Sequence, residues 1–176
     1  MDILETSIKD LKIVVPKVHT DQRGFFLETF NNKRYKEMLN IDFDFVQDNL
    51  SQSNFGVLRG LHFQKKHPQG KLVRVSQGKI FDVAVDVRKE SSSFGEWVGV
   101  ELSGDNKKQF WIPPGFAHGF ITLTETADLE YKCTDYYDPQ DEGCLIWNDP
   151  TVNIDWLMKD PILSDKDILG VSLDQI

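Results

Sequence analysis

The sequence has few cysteines, no long apolar run and a shortage of positive charge, and each of these shortages excludes a class of protein. Its two cysteines, Cys133 and Cys144, are too few and too sparsely placed for a disulfide framework or a cysteine-based zinc site. No apolar run approaches the ~20 residues of a membrane span. The net charge of −8 argues against a general role on nucleic acids or membrane surfaces, because phosphate binding needs a positive field.

The rest of the composition is that of one ordinary globular domain. Hydrophobic residues make up 40% of the chain and charged residues 27%, so disorder is not expected. A chain of 176 residues is long enough for one well-buried domain and short for two, so residues 1–176 are predicted to form a single domain. Residues 1–5 lack the basic start and apolar core of a signal peptide, which predicts a cytoplasmic protein with reduced cysteines.

Period-2 alternation dominates the chain and predicts an all-β fold. In residues 81–87 the odd positions are apolar while Asp82 and Asp86 fall on the other face, the pattern of a half-buried strand. Only 32–40 has a clearly helical pattern, with a shorter helix near 164–170. Many short strands with glycine and proline turns predict a jelly-roll barrel with a few short helices. The other predicted strands are 11–15, 24–30, 44–51, 57–63, 71–76, 96–102, 108–112, 119–123, 128–134 and 143–147.

Side-chain parity predicts which polar residues share the barrel interior. Lys71 alternates in step with the valines of its strand, and Tyr131 with Leu129, so both are predicted on buried faces. Arg59 and His62 have opposite parity, and both point inward only if the strand ends or bulges near the glycine between them.

A polar stripe in strand 44–51 and the residues after it has two interpretations. It faces solvent, which is the commoner case for such a stripe, or it lines a polar cavity inside the barrel. Its members are Gln47, Asn49, Ser51 and Ser53.

Two histidines stand in runs that resemble the two cupin motifs, in which histidines from two strands point into a small barrel. His62 lies in the run LRGLHFQ and His118 in PPGFAHGF. A metal-binding cupin has His-x-His followed by a carboxylate, whereas this chain has His62-x-Gln64 followed by Lys71. An imidazole, an amide and an ammonium make a poor ligand set for a divalent cation, so His62 is predicted to act as an acid–base group and no metal is expected.

Many further runs match a single family in order and at consistent spacing. They are residues 21–28, 46–49, 57–64, 69–74, 82–88, 94–97, 111–120, 131–133, 136–137, 147–150 and 163–167. Any one run would be a weak signal, but together they are specific. Over nearly its full length the chain resembles the dTDP-4-dehydrorhamnose 3,5-epimerase family.

The resemblance implies an isomerase that uses no metal or organic cofactor. Its substrate would be dTDP-4-dehydro-6-deoxy-D-glucose, inverted at C3 and C5 on the route to dTDP-L-rhamnose, a precursor of lipopolysaccharide and cell-wall polysaccharide. The C4 ketone acidifies both hydrogens, so a base removes one, the charge moves to O4, and an acid returns a proton to the opposite face. The resemblance also implies a homodimer that exchanges a segment of about residues 1–30, with no nucleic acid or membrane as partner.

The same resemblance implies a role for each site residue. His62 would be the general base, Asp167 its carboxylate partner, Lys71 a fixed positive charge near O4, and Tyr131 the acid on the other side of the sugar. Arg23, Phe25 and Glu28 would reach the site from the partner subunit. The full set of implied substrate-binding residues is Arg23, Phe25, Glu28, Gln47, Asp48, Asn49, Arg59, His118, Glu142 and Lys166.

Other functions compatible with the same motifs are an epimerase that inverts only C3, a 3,4-ketoisomerase on a related dTDP-sugar, a non-catalytic sugar-nucleotide-binding cupin, and a metal-dependent cupin dioxygenase. The presence of His62, Asp167 and Tyr131 together favours double epimerisation, because inversion at C5 needs a proton donor on the second face.

Overall fold

Thirteen β-strands and two short α-helices make up the chain, and the computed structural model describes residues 1–176. The strands are β1 (Asp2–Glu5), β2 (Lys12–Val15), β3 (Val18–Asp21), β4 (Gly24–Leu27), β5 (Gln47–Asn54), β6 (Leu58–Gln64), β7 (Lys71–Gln77), β8 (Lys79–Asp86), β9 (Trp97–Ser103), β10 (Gln109–Ile112), β11 (Phe116–Thr122), β12 (Thr126–Cys133) and β13 (Glu142–Cys144). The helices are α1 (Asn32–Leu39) and α2 (Asp165–Ile168), followed by a 3-10 turn at Leu173–Gln175.

Two antiparallel sheets form the walls of a jelly-roll barrel, which confirms the predicted fold class. Six strands form one sheet in the order β1-β2-β10-β7-β12-β5, and five form the other in the order β13-β6-β11-β8-β9. The hairpin of β3 and β4 is a separate two-stranded sheet. Most predicted strands are present, but the short β1 and β3 were not predicted, and the strand predicted at 44–51 begins and ends three residues later. No helix is long and apolar enough to cross a membrane.

An apolar core fills the space between the two sheets. Val73, Phe110 and Leu129 enter it from the six-stranded sheet, and Ile80 and Phe120 from the five-stranded sheet. All are almost fully buried, and Tyr131 packs against the same cluster. Removing apolar surface from water stabilises a fold by about 25 cal/mol per Å². The burial of these side chains is therefore the main contribution that holds the two walls together.

Segments outside the barrel cover the outer faces of both sheets. Helix α1 packs Tyr35 and Leu39 against Trp111 of the six-stranded sheet. On the five-stranded sheet, the C-terminal segment packs residues such as Trp156 against Val83 and its neighbours.

The prediction that residues 81–87 form a half-buried strand is therefore wrong, because both faces are covered. Val83 and Val85 pack beneath the C-terminal segment. Asp82 and Asp86 are fully buried on the opposite face, which is the face turned towards the barrel interior. The strand pattern identified the two faces correctly but could not show that a distant segment covers the apolar one.

A bulge in β6 turns two polar side chains of opposite parity to the same side. His62 is opposite His118 and Arg59 opposite Phe120, so three steps along β6 match two along β11. Gly60 has φ +116, and a Cβ at this position would lie 2.6 Å from the Cα of Gly119. Glycine is required there because the backbones approach closely in a conformation that L-residues avoid. Of the two alternatives, a strand end or a bulge near Gly60, the structure has the bulge.

The polar stripe of β5 faces the barrel and not solvent, which decides between its two interpretations. Its first three members are half-buried and Ser53 is buried, while the intervening Leu50 is 70% exposed on the outer face. A stripe of this composition lines the barrel only because the interior beside it is itself polar.

A buried carboxylate organises the turn after β8. Asp86 accepts hydrogen bonds from the backbone and guanidinium of Arg88 and from the hydroxyls of Ser91 and Ser93, at 2.6–3.0 Å. Burial raises the pKa of Asp86, but these donors outweigh it and lower the pKa to about 2. Because the folded pKa lies below the unfolded value of 3.8, the stabilisation is complete above pH 4 and is lost as the pH falls through about 2.

We therefore expect Asp86→Asn to lower the free energy of unfolding by about 2 kcal/mol at pH 7, with a smaller difference from the wild type at pH 2. Urea denaturation at both pH values measures this. Asp105→Asn, in an exposed turn, is the matched control and should change stability by less than about 0.5 kcal/mol. An equal effect of Asp86→Asn at both pH values would contradict the role of the charge.

Candidate active site

A histidine–aspartate pair lies on the inner wall of the barrel. His62 comes from β6, and its Nε2 lies 2.7 Å from Oδ1 of Asp167 in α2. Asp167 is buried and also accepts hydrogen bonds from the Ser164 hydroxyl and the Gly60 backbone N–H. Burial raises the pKa of Asp167, but the hydrogen bonds from His62 and Ser164 outweigh it and bring the pKa below its ordinary value. Asp167 is therefore an ionised acceptor.

The pair determines which nitrogen of His62 is available for chemistry. An ionised carboxylate only accepts hydrogen bonds, so the Nε2 beside Asp167 carries the proton. The lone pair is then on Nδ1, 4.0 Å from Oε1 of Glu142. The side chain of His62 keeps 29% exposure. Nδ1 is thus placed to accept a proton from a molecule in the barrel.

A buried lysine, Lys71, lies on the six-stranded sheet, opposite the five-stranded sheet that carries His62. Lys71, at the start of β7, is almost fully buried, as parity predicted. Burial lowers the pKa of its ammonium, while the charges of Asp82 and Glu142 and the thiol of Cys133 favour the charged form. A cation held here is available to an anionic oxygen bound in the barrel.

His118 lies in register beside His62 and is bound to a buried carboxylate. Its Nε2 is 2.9 Å from Oδ2 of Asp82, and both side chains are buried. Burial raises the pKa of Asp82, and the contact with His118 opposes that effect. The pair lies beside Lys71, so it contributes to the polar lining of the interior.

Tyr131 projects inward from β12, where its cross-strand partner is Asn49 of β5. Burial raises the pKa of its hydroxyl, and the positive charge of Arg59 lowers it. Arg59 is at the exposed side of the interior and donates from Nε to the Ser53 hydroxyl at 2.9 Å.

The polar stripe of β5 lies beside these two residues. Gln47 donates to the side chain of Asn49 and accepts from the Tyr137 backbone. Tyr131, Arg59 and the stripe therefore share one polar region.

Glu142 connects this region to the C-terminal helix. It forms an ion pair with Lys166 and accepts a hydrogen bond from the Tyr137 hydroxyl at 2.8 Å. Burial raises its pKa, but the bonds from Lys166 and Tyr137 outweigh it and lower the pKa. Because α2 supplies both Lys166 and Asp167, one short helix makes contact with Glu142 and His62 together.

Four predicted site residues lie away from this cluster in the same chain. Arg23 and Phe25 are exposed on the β3–β4 hairpin, where Arg23 pairs with Asp21 and Phe25 lies under Lys107. Glu28 pairs with Arg34 of α1. Asp48 is on the outer face of β5 and pairs with Lys132. Their roles remain predictions.

Gln64 stands where a metal-binding cupin has the second histidine of its motif, and its side chain has a structural role here. The Gln64 amide donates to the backbone carbonyls of His67 and Tyr136 and accepts from the backbone of Asp138. It therefore stabilises two loops.

Sequence reasoning missed several residues that belong to the same region. Asp82 was assigned to an outer face, and Tyr137, Ser164 and Cys144 were not assigned a role in the site. Ser164 had a local signal, since Ser-x-x-Asp is a helix-capping pattern, and its hydroxyl indeed accepts from the Asp167 backbone. Cys144 is the in-register neighbour of His62, and the ligand atoms of Cys144, His62 and Asp167 lie within 4.8 Å of one another.

Comparisons with known proteins agree on one family. A family model described as dTDP-4-dehydrorhamnose 3,5-epimerase matches residues 5–175. The enzyme of that name from Salmonella typhimurium is 52% identical over 99% of this chain and 97% of its own length. A crystal structure of a dTDP-6-deoxy-D-glucose-3,5-epimerase from Legionella pneumophila, in complex with dTDP-4-keto-L-rhamnose, has a TM-score of 0.97 and 55% identity, covering 99% of this chain and 94% of that one.

A 3'-monoepimerase from Streptomyces bikiniensis, in complex with dTDP-quinovose, is also similar, with a TM-score of 0.90 and 32% identity over 97% of this chain and 87% of that one. The fold is therefore common to double and single epimerases, while the higher identities lie with the double epimerases. Together with the family model, these likenesses confirm the resemblance drawn from the sequence. The chain belongs to the dTDP-4-dehydrorhamnose 3,5-epimerase family.

Proposed function

We propose that this protein inverts C3 and C5 of dTDP-4-dehydro-6-deoxy-D-glucose and so forms dTDP-4-dehydro-L-rhamnose. The observation that carries the proposal is the 2.7 Å contact between His62 and Asp167, on the barrel wall that faces the strand of Tyr131. A base and an acid on opposed walls suit a reaction that removes a proton from one face of a sugar and returns one to the other.

In the proposed first step, Nδ1 of His62 takes the hydrogen from a carbon next to the C4 ketone. Asp167 holds the ring through Nε2–H and stabilises the imidazolium that forms. Positioned proton transfer of this kind contributes roughly 10²–10⁴-fold to the rate. The electron pair of the broken carbon–hydrogen bond forms a double bond between that carbon and C4 of the sugar. The electrons of the C4 carbonyl move to O4, which becomes negatively charged.

Lys71 is proposed to stabilise that charge. Its ammonium is buried beside Asp82 and Glu142, so it is held in place without free exchange with water. A preorganised donor of this kind is worth on the order of 3–4 kcal/mol to an oxyanion transition state.

Tyr131 is proposed to return the proton from the opposite wall. Burial raises the pKa of its hydroxyl, so it is protonated at neutral pH and available as a donor. Protonation from Tyr131, on the face opposite His62, inverts the carbon. Protonation from His62 itself would restore the starting configuration.

The pyrophosphate and nucleoside are proposed to bind at the exposed side of the barrel and across a dimer. Arg59 and Lys166 are the exposed basic residues of this chain beside it, and His118 lies deeper, in contact with Asp82. Gln47, Asn49 and Glu142 would supply polar contacts. The β3–β4 hairpin, with Arg23 and the exposed Phe25, would come from a second copy together with Glu28, because its own chain keeps it outside both sheets. Asp48 would contact the nucleotide only after leaving Lys132.

The base is tested by His62→Asn. We expect wash-out of H3 and H5 in D₂O, followed by proton NMR on dTDP-4-dehydro-6-deoxyglucose, to slow by at least about 10²-fold, because no other group replaces Nδ1. The matched control is His67→Asn, at an exposed loop histidine, which should keep wild-type rates. Wild-type exchange in His62→Asn would remove His62 from the mechanism.

The acid is tested by Tyr131→Phe, which removes only a hydroxyl. Exchange at C3 should continue because His62 is intact, while formation of the C5-inverted product should fall by about 10²-fold or more. Trapping the product with the downstream reductase and NADPH separates the two outcomes. Tyr136→Phe, at an exposed tyrosine, is the control. An unchanged rate of C5 inversion would show that Tyr131 is not the donor, and loss of H3 alone in the wild type would indicate a C3-only epimerase.

Exchange of the N-terminal segment is tested by mixing two inactive variants, His62→Asn and Arg23→Ala. If Arg23 acts in the partner's site, each mixed dimer has one site with both residues intact. Random mixing after unfolding and refolding together should then restore about a quarter of wild-type activity. If Arg23 acts in its own chain, no mixed site is intact and activity should stay at the mean of the two variants.

A further inference from the structure

One cysteine stands directly beside the proposed catalytic pair. Cys144 of β13 is paired in register with His62 of β6, so both side chains point to the same face of the sheet. The Cys144 sulfur, a ring nitrogen of His62 and a carboxylate oxygen of Asp167 lie within 4.8 Å of one another. Three elements distant in sequence thus bring a thiol, an imidazole and a carboxylate to one point.

We propose that His62, Cys144 and Asp167 form a binding site for a thiophilic divalent cation such as Zn²⁺, and that an ion held there switches the epimerase off. The site is inhibitory and takes no part in the reaction. Its effect on turnover rests on the proposed function, whereas binding of the ion does not depend on it.

The donor set suits zinc and similar ions. Zn²⁺ binds thiolate, imidazole and carboxylate ligands, often three from the protein with a water as the fourth. Tetrahedral coordination needs the Nε2 and carboxylate oxygen about 3.3 Å apart, given metal–ligand bonds of about 2.0 Å. They are now 2.7 Å apart. These two atoms must therefore separate by about 0.6 Å, and the Cys144 sulfur, within 4.8 Å of them, must come to about 3.5 Å from each.

Binding at Nε2 and acting as a base at Nδ1 require opposite tautomers of His62. In the free protein Nε2 carries the proton and donates to Asp167, which leaves the lone pair on Nδ1. An ion on Nε2 moves that proton to Nδ1, where Glu142 is the nearest carboxylate, at 4.0 Å. Metal-bound histidines commonly give their other N–H to such a carboxylate. The proposed base then has no lone pair to accept a proton.

The thiol itself is unreactive until an ion arrives. Burial, with the nearby charge of Asp167, raises the pKa of Cys144 to about 11. Coordination releases the thiol proton to solvent and leaves a thiolate on the metal. Hard cations such as Mg²⁺ prefer oxygen ligands and gain little from a thiolate, so they should not bind here.

Binding is tested with Co²⁺ as an optical substitute for zinc, on full-length protein freed of metal with a chelator. The wild type should develop a thiolate-to-cobalt charge-transfer absorption that saturates at one ion per chain. Cys144→Ser should lose this band, and Cys133→Ser, at the other cysteine, should keep it. Absence of the band in the wild type, or its survival in Cys144→Ser, overturns the proposal.

Inhibition is tested by titrating Zn²⁺ and Mg²⁺ into the D₂O exchange assay. Zn²⁺ should stop wash-out in the wild type and a chelator should restore it, while Mg²⁺ should have no effect. Measured against its own metal-free rate, Cys144→Ser should need at least about tenfold more Zn²⁺ for half inhibition. Equal zinc sensitivity of the two proteins overturns the regulatory claim. A cobalt band in a protein without epimerase activity would instead leave the site standing and refute the proposed function.

Discussion

The hydrogen bond between His62 and Asp167 joins the barrel to the C-terminal segment, and the arrangement of the site depends on it. The two residues are 105 positions apart in the chain. Asp167 reaches the barrel only because residues such as Trp156 and Leu173 pack on the outer face of the five-stranded sheet. The same docking brings Lys166 to Glu142. Apolar packing outside the barrel thus orients a polar pair inside it.

Three carboxylates of the interior are each paired with a histidine or lysine side chain. Asp82 is bound to His118, Asp167 to His62, and Glu142 to Lys166. Asp82 and Asp167 are buried and Glu142 is partly buried, and each has a hydrogen-bonding partner, which is the condition under which a buried charge is tolerated. Lys71 has no such direct partner and is held only by charges at longer range. Its positive charge is therefore not neutralised by a carboxylate in direct contact.

Parity along the strands was enough to predict that Lys71 and Tyr131 share a buried interior, and the opposite parity of Arg59 and His62 predicted a strand end or a bulge near the glycine between them. Parity could not show which side of a strand another segment covers. Asp82 was therefore predicted on the exposed face of a half-buried strand, and the surroundings of the stripe from Gln47 to Ser53 stayed open, since the covering comes from residues far away in sequence. The partnership of Asp167 with His62 was available only through family resemblance, because no local pattern joins a C-terminal helix to β6.

The features that make His62 a suitable base also make it a suitable metal ligand, and the contact with Asp167 sets the balance between the two. A neutral imidazole can carry its lone pair on either nitrogen, so the ring serves as a base through Nδ1 in one tautomer and as a metal ligand through Nε2 in the other. The hydrogen bond keeps Nε2 and the carboxylate occupied with each other, so an ion must break it to enter. Cys144 shifts this balance, because the bond from its thiolate to a soft ion offsets the loss of the hydrogen bond. A hard ion gains too little from a thiolate to do so. A serine at position 144 would remove the thiolate and, with it, the preference of the site for soft ions.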